Sequence, residues 1–247
     1  MKIKLLSSAA VLLAGSLLTA HADLGDDITN AVTALSGQPN YSWKATVVVP
    51  ADSEFKPGPT DGKTEKGGFT DVTTSMRDNT IEIASKGDKI AVNTPDNGWQ
   101  SIADLESDQG PGRFMAMMAR NSAKGPAGQA ETLAASAASL KKDGDVISGD
   151  LTEAGAKAML SFRPRGGGGG GPEISDAKGS VKFWITDGAL TKFEFHVSGK
   201  MSFNGNDRDV DRDTTVEIKD VGTTKVTVPD EALKIIAPKP AADTTTK

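Results

Sequence analysis

The stretch VKFWITDGALTKFEFHVSGKMSF, from Val181 to Phe203, decides the fold. Apolar side chains occupy every second position on both sides of a Thr-Asp-Gly turn. This alternation is typical of a β-strand that buries one face and exposes the other. It therefore predicts a hairpin with one apolar face, which covers either an ordinary core or a molecule that the protein carries.

The same signals, read outward from this hairpin, predict an α+β protein with about ten strands. Short links between short strands indicate antiparallel neighbours, and Pro57, Gly58, Pro59 and Gly62 predict a loop. The predicted strands are Tyr41–Val49, Phe69–Met76, Asn79–Ser85, Lys89–Asn93, Gly98–Ile102, Asp145–Gly149, Ser180–Thr186, Leu190–Phe203, Asp209–Lys219 and Lys225–Val228. Apolar spacing and capping residues predict helices at Leu24–Ser36, Arg113–Arg120, Gln129–Lys141, Asp150–Phe162 and Pro229–Ile236.

The first 22 residues have the composition of a cleaved secretory signal peptide. Lys2 and Lys4 precede an apolar run, and Ala20-His21-Ala22 is a small-x-small cleavage site. We expect a periplasmic or extracellular protein with a single domain at 23–237 and a disordered tail at 238–247. The six glycines Gly166–Gly171 predict a flexible loop within that domain.

Charge and segment length narrow the class of partner. Without residues 1–22 the chain has 26 basic and 33 acidic residues, a net charge of −7. This balance disfavours nucleic acid, or an anionic membrane surface, as the main partner. No segment beyond the signal approaches membrane-spanning length, so we expect no stable membrane insertion.

No motif in the chain predicts catalysis, a metal or a cofactor. The glycine run lacks the Lys-Ser/Thr of a phosphate loop, and no HExxH spacing occurs. His196 is the only histidine beyond the predicted signal, and its alternation places it on the polar face of a strand. The carboxylates of Asp207, Asp209, Asp211 and Asp213 recur at every second position, which is typical of a solvated strand face. We expect no enzyme and no cofactor.

A cluster of soft side chains, Phe114, Met117 and Met118, lies at helical spacing. Methionine adapts to irregular partners, so such a cluster suits a binding surface as well as an ordinary core. The residues alone leave both interpretations open.

The C-terminal third resembles the LolA/LppX-type superfamily of bacterial lipoprotein and lipid carriers. The resemblance rests on KFWITDG, on LTKFEFHVSGKMSF and on DTTVEIKDVGTTKVTVP, whose last segment ends at Val228-Pro229. Earlier in the chain, the helix before NYSWKATVVV and the meander that contains GDKIAVNTPDNGWQSIADL fit the order of elements in that superfamily. The resemblance implies a strongly curved, unclosed antiparallel sheet with helices packed on its concave face.

The resemblance also implies a function and a site. The function is that of an exported soluble protein that carries a lipid, or the acyl chain of a lipoprotein, in an apolar cavity between sheet and helices. The alternative is an envelope protein-interaction module with a filled core. In the carrier interpretation Val181 and Ile185 face inward and Leu140 lies in the covering helices. The expected cavity residues are Phe183, Phe193, Phe195, Val197, Phe114, Met117, Met118 and Leu133.

Overall fold

One antiparallel sheet organises the chain. The computed structural model describes residues 16–53, 56–76, 79–107, 111–161, 173–203 and 206–237. Within these ranges eleven strands form a single sheet. They are β1 Asn40–Val48, β2 Pro57–Glu65, β3 Thr70–Met76, β4 Asn79–Lys86, β5 Lys89–Thr94, β6 Gly98–Ser101, β7 Ala137–Asp143, β8 Val146–Leu151, β9 Glu173–Thr186, β10 Ala189–Phe203 and β11 Asn206–Lys219.

Six described helices accompany the sheet. Five of them precede or interrupt the run of strands, and the sixth follows it. They are α1 Ser16–Gly37, α2 Ile102–Ser107, α3 Pro111–Ala123, α4 Gly125–Ser136, α5 Glu153–Leu160 and α6 Asp230–Ile236.

The strand order shows two meanders joined in the middle. The order is β6-β5-β4-β3-β2-β1-β11-β10-β9-β8-β7, and every neighbouring pair is antiparallel. The first and last strands of the sequence pair with each other at the centre, whereas β6 and β7 form the two edges. The predicted α+β class and the unclosed antiparallel sheet are confirmed.

The two faces of the sheet carry different helices. On β4, Ile83 packs in the main core while the next residue, Ala84, packs in a second cluster with Ala232 and Ile236 of α6. Since successive side chains of a strand point to opposite faces, α6 covers the face opposite to the main core. The helices therefore do not all share one face, and the curvature of the sheet stays a prediction. We call the side of the main core, which receives α1 to α5, the helix-bearing face.

The predicted loop at 57–62 is wrong, because these residues belong to β2. The strand pairs with both β1 and β3. Its prolines are tolerated because they lie at the strand start and in an irregular register between Pro57 and Thr60. Its glycine is required by packing: a Cβ on Gly62 would overlap the indole ring of Trp43.

The alanine-rich helix predicted at 129–141 was wrong in its second half. The helix ends at Ser136, and Ala137 to Asp143 form edge strand β7, paired with β8. Ala130 and Leu133 are buried as the helical spacing predicts, but Ala137 and Leu140 lie on the strand. Alanine occurs in helices and in strands, and hydrogen bonding to β8 makes residues 137–143 a strand.

Smaller differences concern element ends. The helix cap is Thr152 rather than Asp150, because the Thr152 side chain accepts a hydrogen bond from the Gly155 N–H. Residues Lys225–Val228 form no strand; the N–H of Val226 donates to the Glu65 carboxylate instead. The predicted glycine loop, the tail and most of the predicted signal peptide lie outside the described residues, and α1 begins within the predicted signal at Ser16.

The contact between Trp43 and Gly62 generates a test of the fold. We expect Gly62→Ala to lower the free energy of unfolding by about 2 kcal/mol or more, because the new methyl group has no space beside the indole. Chemical denaturation monitored by circular dichroism measures this change.

Gly25→Ala is the matched control. Gly25 lies within α1, and a Cβ there would meet no atom within 4 Å. We expect a neutral effect or a stabilisation of up to about 1 kcal/mol, since alanine favours helix over glycine. Equal effects of the two substitutions would contradict the packing argument.

Candidate functional site

A row of side chains crosses eight strands on the helix-bearing face. Each member lies directly opposite the next in the strand pairing, and the row reads Ile147, Phe183, Phe193, Val216, Ala45, Thr60, Thr74 and Ile81. The four residues at the first end are at most 1% exposed, and Ile81 at the other end is 4% exposed. The three residues between them are only half-buried. The face is therefore sealed at both ends and more open in the middle.

The placement of the helices explains this opening. Helix α3 lies against β3, β4 and β5, whereas α1 and α5 lie against strands between β7 and β10. No described helix packs extensively along β1, β2 or β11; the contacts there include the α3–α4 junction above β1 and the end of α5 against β11. The half-buried side chains on this part of the face form what we call the central strip: Ala45, Val47, Thr60, Thr74 and Met76.

The strip is apolar apart from hydroxyl groups that already have partners. The hydroxyls of Thr60 and Thr74 lie 2.8 Å apart and form one hydrogen bond, in which either can donate. Next to Val47 across the strands come Thr214, which is 6% exposed, and then Phe195. The methyl groups of these threonines add to the apolar surface, and the paired hydroxyls carry little cost of desolvation.

Two aromatic residues close one end of the strip. Tyr41 and Trp43 of β1 are both buried, with ring centroids 6.0 Å apart. The junction of α3 and α4 lies above them: the Cβ position of Gly125 is 3.8 Å from the Tyr41 hydroxyl and 3.8 Å from the Trp43 ring. Gly125 has φ +61°, a left-handed conformation that glycine adopts without strain.

The hydroxyl of Tyr41 also fixes the start of α4. Lys124 at the N-cap makes no side-chain capping bond, while the backbone of Ala127 in the first turn hydrogen-bonds the Tyr41 hydroxyl. Burial raises the pKa of Tyr41 to about 12, and the bond from Ala127 opposes this only in part. A side chain of β1 thus supplies the cap that α4 lacks.

A cation lies beyond the other end of the strip. Arg212 of β11 pairs with Val197 on the helix-bearing face, and its guanidinium donates to the Met159 carbonyl at 2.6 Å. Met159 is in the last turn of α5, where a positive charge is favourable. Burial lowers the pKa of Arg212 from its usual range. This contact fixes the end of α5 against the sheet.

Most of the cavity residues expected from the sequence lie in one cluster. Phe183, Phe193, Val197 and Leu133 are completely buried in the main core, and Phe195 is 5% exposed. Val181 is buried beside them, while Ile185, Leu140 and Met118 are half-buried and pack against the same cluster. Met117 is half-buried, and Phe114 is 41% exposed on the outside of α3. The structure therefore separates Phe114 from the other expected residues.

Sequence reasoning missed the central strip. Thr60 lies in the predicted loop, and Ala45, Val47 and Thr74 have no distinctive chemistry. The alternation of Thr60, Gly62 and Thr64 is the signal that could have revealed β2. Nothing local could have shown that β1 would pair with β11 and place this strip at the centre.

Around β1 the opposite face of the sheet is polar. Beside β1 a depression of about 450 Å³ is lined by residues that include Lys44, Lys63, Asp61 and Asp71. Burial and the nearby Glu82 carboxylate raise the pKa of Asp71. His196 also lies on this face, with Nδ1 3.1 Å from the Asp213 carboxylate. The basic and acidic groups alternate, so the depression favours neither a simple anion nor a simple cation.

In the described ranges no three acidic, histidine or cysteine side chains are placed together to hold a metal ion. No helix in the same part of the chain is long and apolar enough to cross a membrane.

Comparison with known proteins finds similarity in structure alone. No family model matches the chain, and no curated protein sequence matches it. The lipoprotein LppX of Mycobacterium tuberculosis matches with 12% identity and a TM-score of 0.43, covering 84% of this chain and 99% of LppX. LprF of Mycobacterium bovis matches with 14% identity and a TM-score of 0.41, covering 85% and 98%. Neither match identifies a family or a ligand for this chain.

The environment of Tyr41 generates a spectroscopic prediction. Because the chain has a single tyrosine, the near-ultraviolet phenolate band reports this residue alone. We expect the folded chain to titrate with a pKa near 12, and the denatured chain near 10. The folded state then loses stability as the pH rises from about 10 to about 12, since the unfolded state releases its proton first.

Circular dichroism recorded on the same samples separates titration from unfolding. A phenolate that forms near pH 10 while the native spectrum persists would show that the Tyr41 hydroxyl is accessible to water. In that case Tyr41 would not cap α4 from a buried position.

Proposed function

We propose that the protein binds a lipid, or the acyl chain of a lipoprotein, between its sheet and its helices, as an exported soluble carrier. The observation that supports this best is the central strip, whose side chains are half-buried although the residues at both ends of the row are buried. Burying apolar chain contributes about 0.8 kcal/mol per methylene group. An acyl chain therefore needs no charged group for useful affinity.

The dimensions of the strip suit an extended chain. Strands lie about 4.8 Å apart, so the path from Val216 on β11 to Ile81 on β4 covers four spacings, or about 19 Å. Small side chains, Ala45, Thr60 and Thr74, form its floor. A ligand that follows the row contacts a methyl-rich surface between two buried walls.

The walls of the strip differ in stiffness. On one side stand Phe195 and Val216, which belong to the tightly packed core. On the other side Met115 and Met118 of α3 pack at the margin of that core, as does Met76 at the edge of the strip itself. Because methionine is unbranched and polarizable, this second wall can adapt to ligands of different shape. We assign gating of the strip to Met118, whereas Met117, which the sequence pattern also suggested for this role, lies on the outer side of α3 with Arg113 and Arg120.

One observation favours the alternative function, a protein-interaction module with a filled core. Phe183, Phe193 and Val197 have no exposed surface, so protein atoms already cover the residues that the family resemblance would give to a ligand. In that case the half-buried strip faces water or a partner protein, and no lipid occupies it.

Native mass spectrometry of the protein purified from its own envelope discriminates between the two. A co-purified lipid, together with displacement of a fluorescent fatty acid by that lipid, supports the carrier. A single cross-linked protein partner without extractable lipid supports the interaction module. Absence of both lipid and acyl-probe binding overturns the carrier proposal.

Two neighbouring valines provide a sharp test of the strip. Val47 is half-buried on the helix-bearing face, whereas Val48 is 59% exposed on the other face. We expect Val47→Asp to weaken binding of a fluorescent fatty acid by at least about tenfold, because a carboxylate must be desolvated beside the acyl chain. We expect Val48→Asp to bind like the unmodified protein.

Stability must be measured for both variants, since a charge at Val47 also affects folding. Ala45→Phe is the second test, because it fills the strip with apolar volume instead of charge. Loss of probe binding in Val47→Asp and Ala45→Phe, with denaturation midpoints near that of Val48→Asp, supports the site. Unchanged binding in both strip variants places the probe elsewhere.

A further inference from the structure

The outer surface of α3 differs from the rest of the protein. Arg113, Met117 and Arg120 follow one another at intervals of four and three residues, which places them on one side of α3, and Lys124 comes directly after the last residue of the helix. The three basic residues are exposed. Phe114 borders them and is 41% exposed. We call these five residues the α3 stripe.

The local charge is opposite to the charge of the whole chain. Between residues 111 and 136, in α3, α4 and their junction, there are three basic residues and one acidic residue, Glu131, although the complete chain has a net charge of −5. Arg120 is paired with Glu106 of α2 at 2.6 Å, and both side chains are about half exposed. An exposed pair of this kind is weak and can exchange partners. The stripe is therefore a basic surface on an acidic protein.

An aromatic side chain accompanies this charge. Among the described residues the large apolar side chains classed as exposed are Val48, Phe114 and Val221. Phe114 is the only aromatic one among them, and it directly follows Arg113 in the chain. Basic residues with an interleaved aromatic ring are the composition by which a helix lies on an anionic bilayer. Each basic group near such a surface adds to the electrostatic attraction.

The stripe also lies close to the central strip. The inner side of α3 buries Ala116 and Ala119 in the main core and packs Met115 and Met118 at its margin. Because α3 lies against β3, β4 and β5, it forms the border of the strip on that side. Contact of its outer side with a bilayer would place this border next to the lipid.

We propose that the α3 stripe docks on the surface of an anionic phospholipid bilayer. The bilayer is the only occupant to which we assign this surface, on the basis of its local positive charge and its exposed phenylalanine. That the lipid then passes to the central strip rests on the proposed function; the docking itself does not. The negative net charge of the whole chain disfavours an anionic membrane surface as a partner, whereas the basic residues of the α3 stripe favour one.

Vesicle co-sedimentation tests the docking, with the chain in its naturally processed form. We expect binding to vesicles that contain phosphatidylglycerol, weaker binding to pure phosphatidylcholine, and loss of binding at high salt. Reversing two charges in Arg113→Glu/Lys124→Glu should lower the partition coefficient by at least about tenfold. Phe114→Ser should also lower it, with less effect on the salt dependence.

The matched control reverses two exposed lysines on the other face, in Lys44→Glu/Lys63→Glu. It makes the same change in net charge, so an equal loss of binding in both double variants would show general electrostatic attraction and overturn the proposal. Absence of binding to anionic vesicles by the unmodified protein would also overturn it.

Binding of the soluble fatty-acid probe keeps the two proposals distinguishable. The stripe variants should bind the probe normally, and Val47→Asp should bind vesicles normally. If Val47→Asp loses binding of the fatty-acid probe but still binds vesicles, both the carrier function and the docking are supported. Vesicle binding without any probe binding by the unmodified protein would leave the docking supported and the carrier function overturned.

Discussion

The pairing of β1 with β11 is the constraint on which the rest of the structure depends. Seven residue pairs, from Ser42 with Lys219 to Val48 with Asp213, join two meanders that would otherwise be separate sheets. The partners are far apart in sequence, so this pairing closes a very long loop. The loss of chain entropy on closing it must be offset by the burial of apolar side chains. The buried side chains lie on both strands of this β1–β11 pair, which we call the seam, and include Trp43 and Val216. The seam unites one apolar face across the whole sheet.

The same topology explains why the centre of that face is thinly covered. After β6, at one edge, the chain must reach β7 at the opposite edge, and α2, α3 and α4 make this crossing. The joint between α3 and α4 falls above the seam, where Gly125 meets Tyr41 and Trp43. The two large aromatic residues fill the space beneath the joint. Two residues further along β1, the small side chain of Ala45 takes the place of the aromatic rings, and the side chains of the strip are only half-buried. Helix placement and side-chain size therefore produce the opening together.

Much of this arrangement was predictable from local sequence. Alternation located β9, β10 and β11, and helical spacing located the buried face of α1, because both periodicities arise directly from backbone geometry. β2 was missed since its prolines and glycines suit a loop, and they are tolerated only because of a bulge and because Trp43 occupies the place of a side chain at Gly62. The strip was missed for a related reason. Its residues are ordinary in isolation, and only the long-range pairing of β1 brings Ala45 and Val47 beside the core of the other meander.

The two faces of the sheet divide the possible roles of the protein. On the polar face basic and acidic groups alternate: Lys44 lies opposite Glu217, and Glu217 lies opposite Lys192. Mutual compensation of this kind leaves little net attraction for a charged surface. On the helix-bearing side the basic groups of α3 are concentrated instead, and α3 also borders the strip. A carrier that must meet a membrane and shield an acyl chain needs both properties on the same side. Helix α3 combines them because its inner residues are small or flexible, whereas its outer residues are basic.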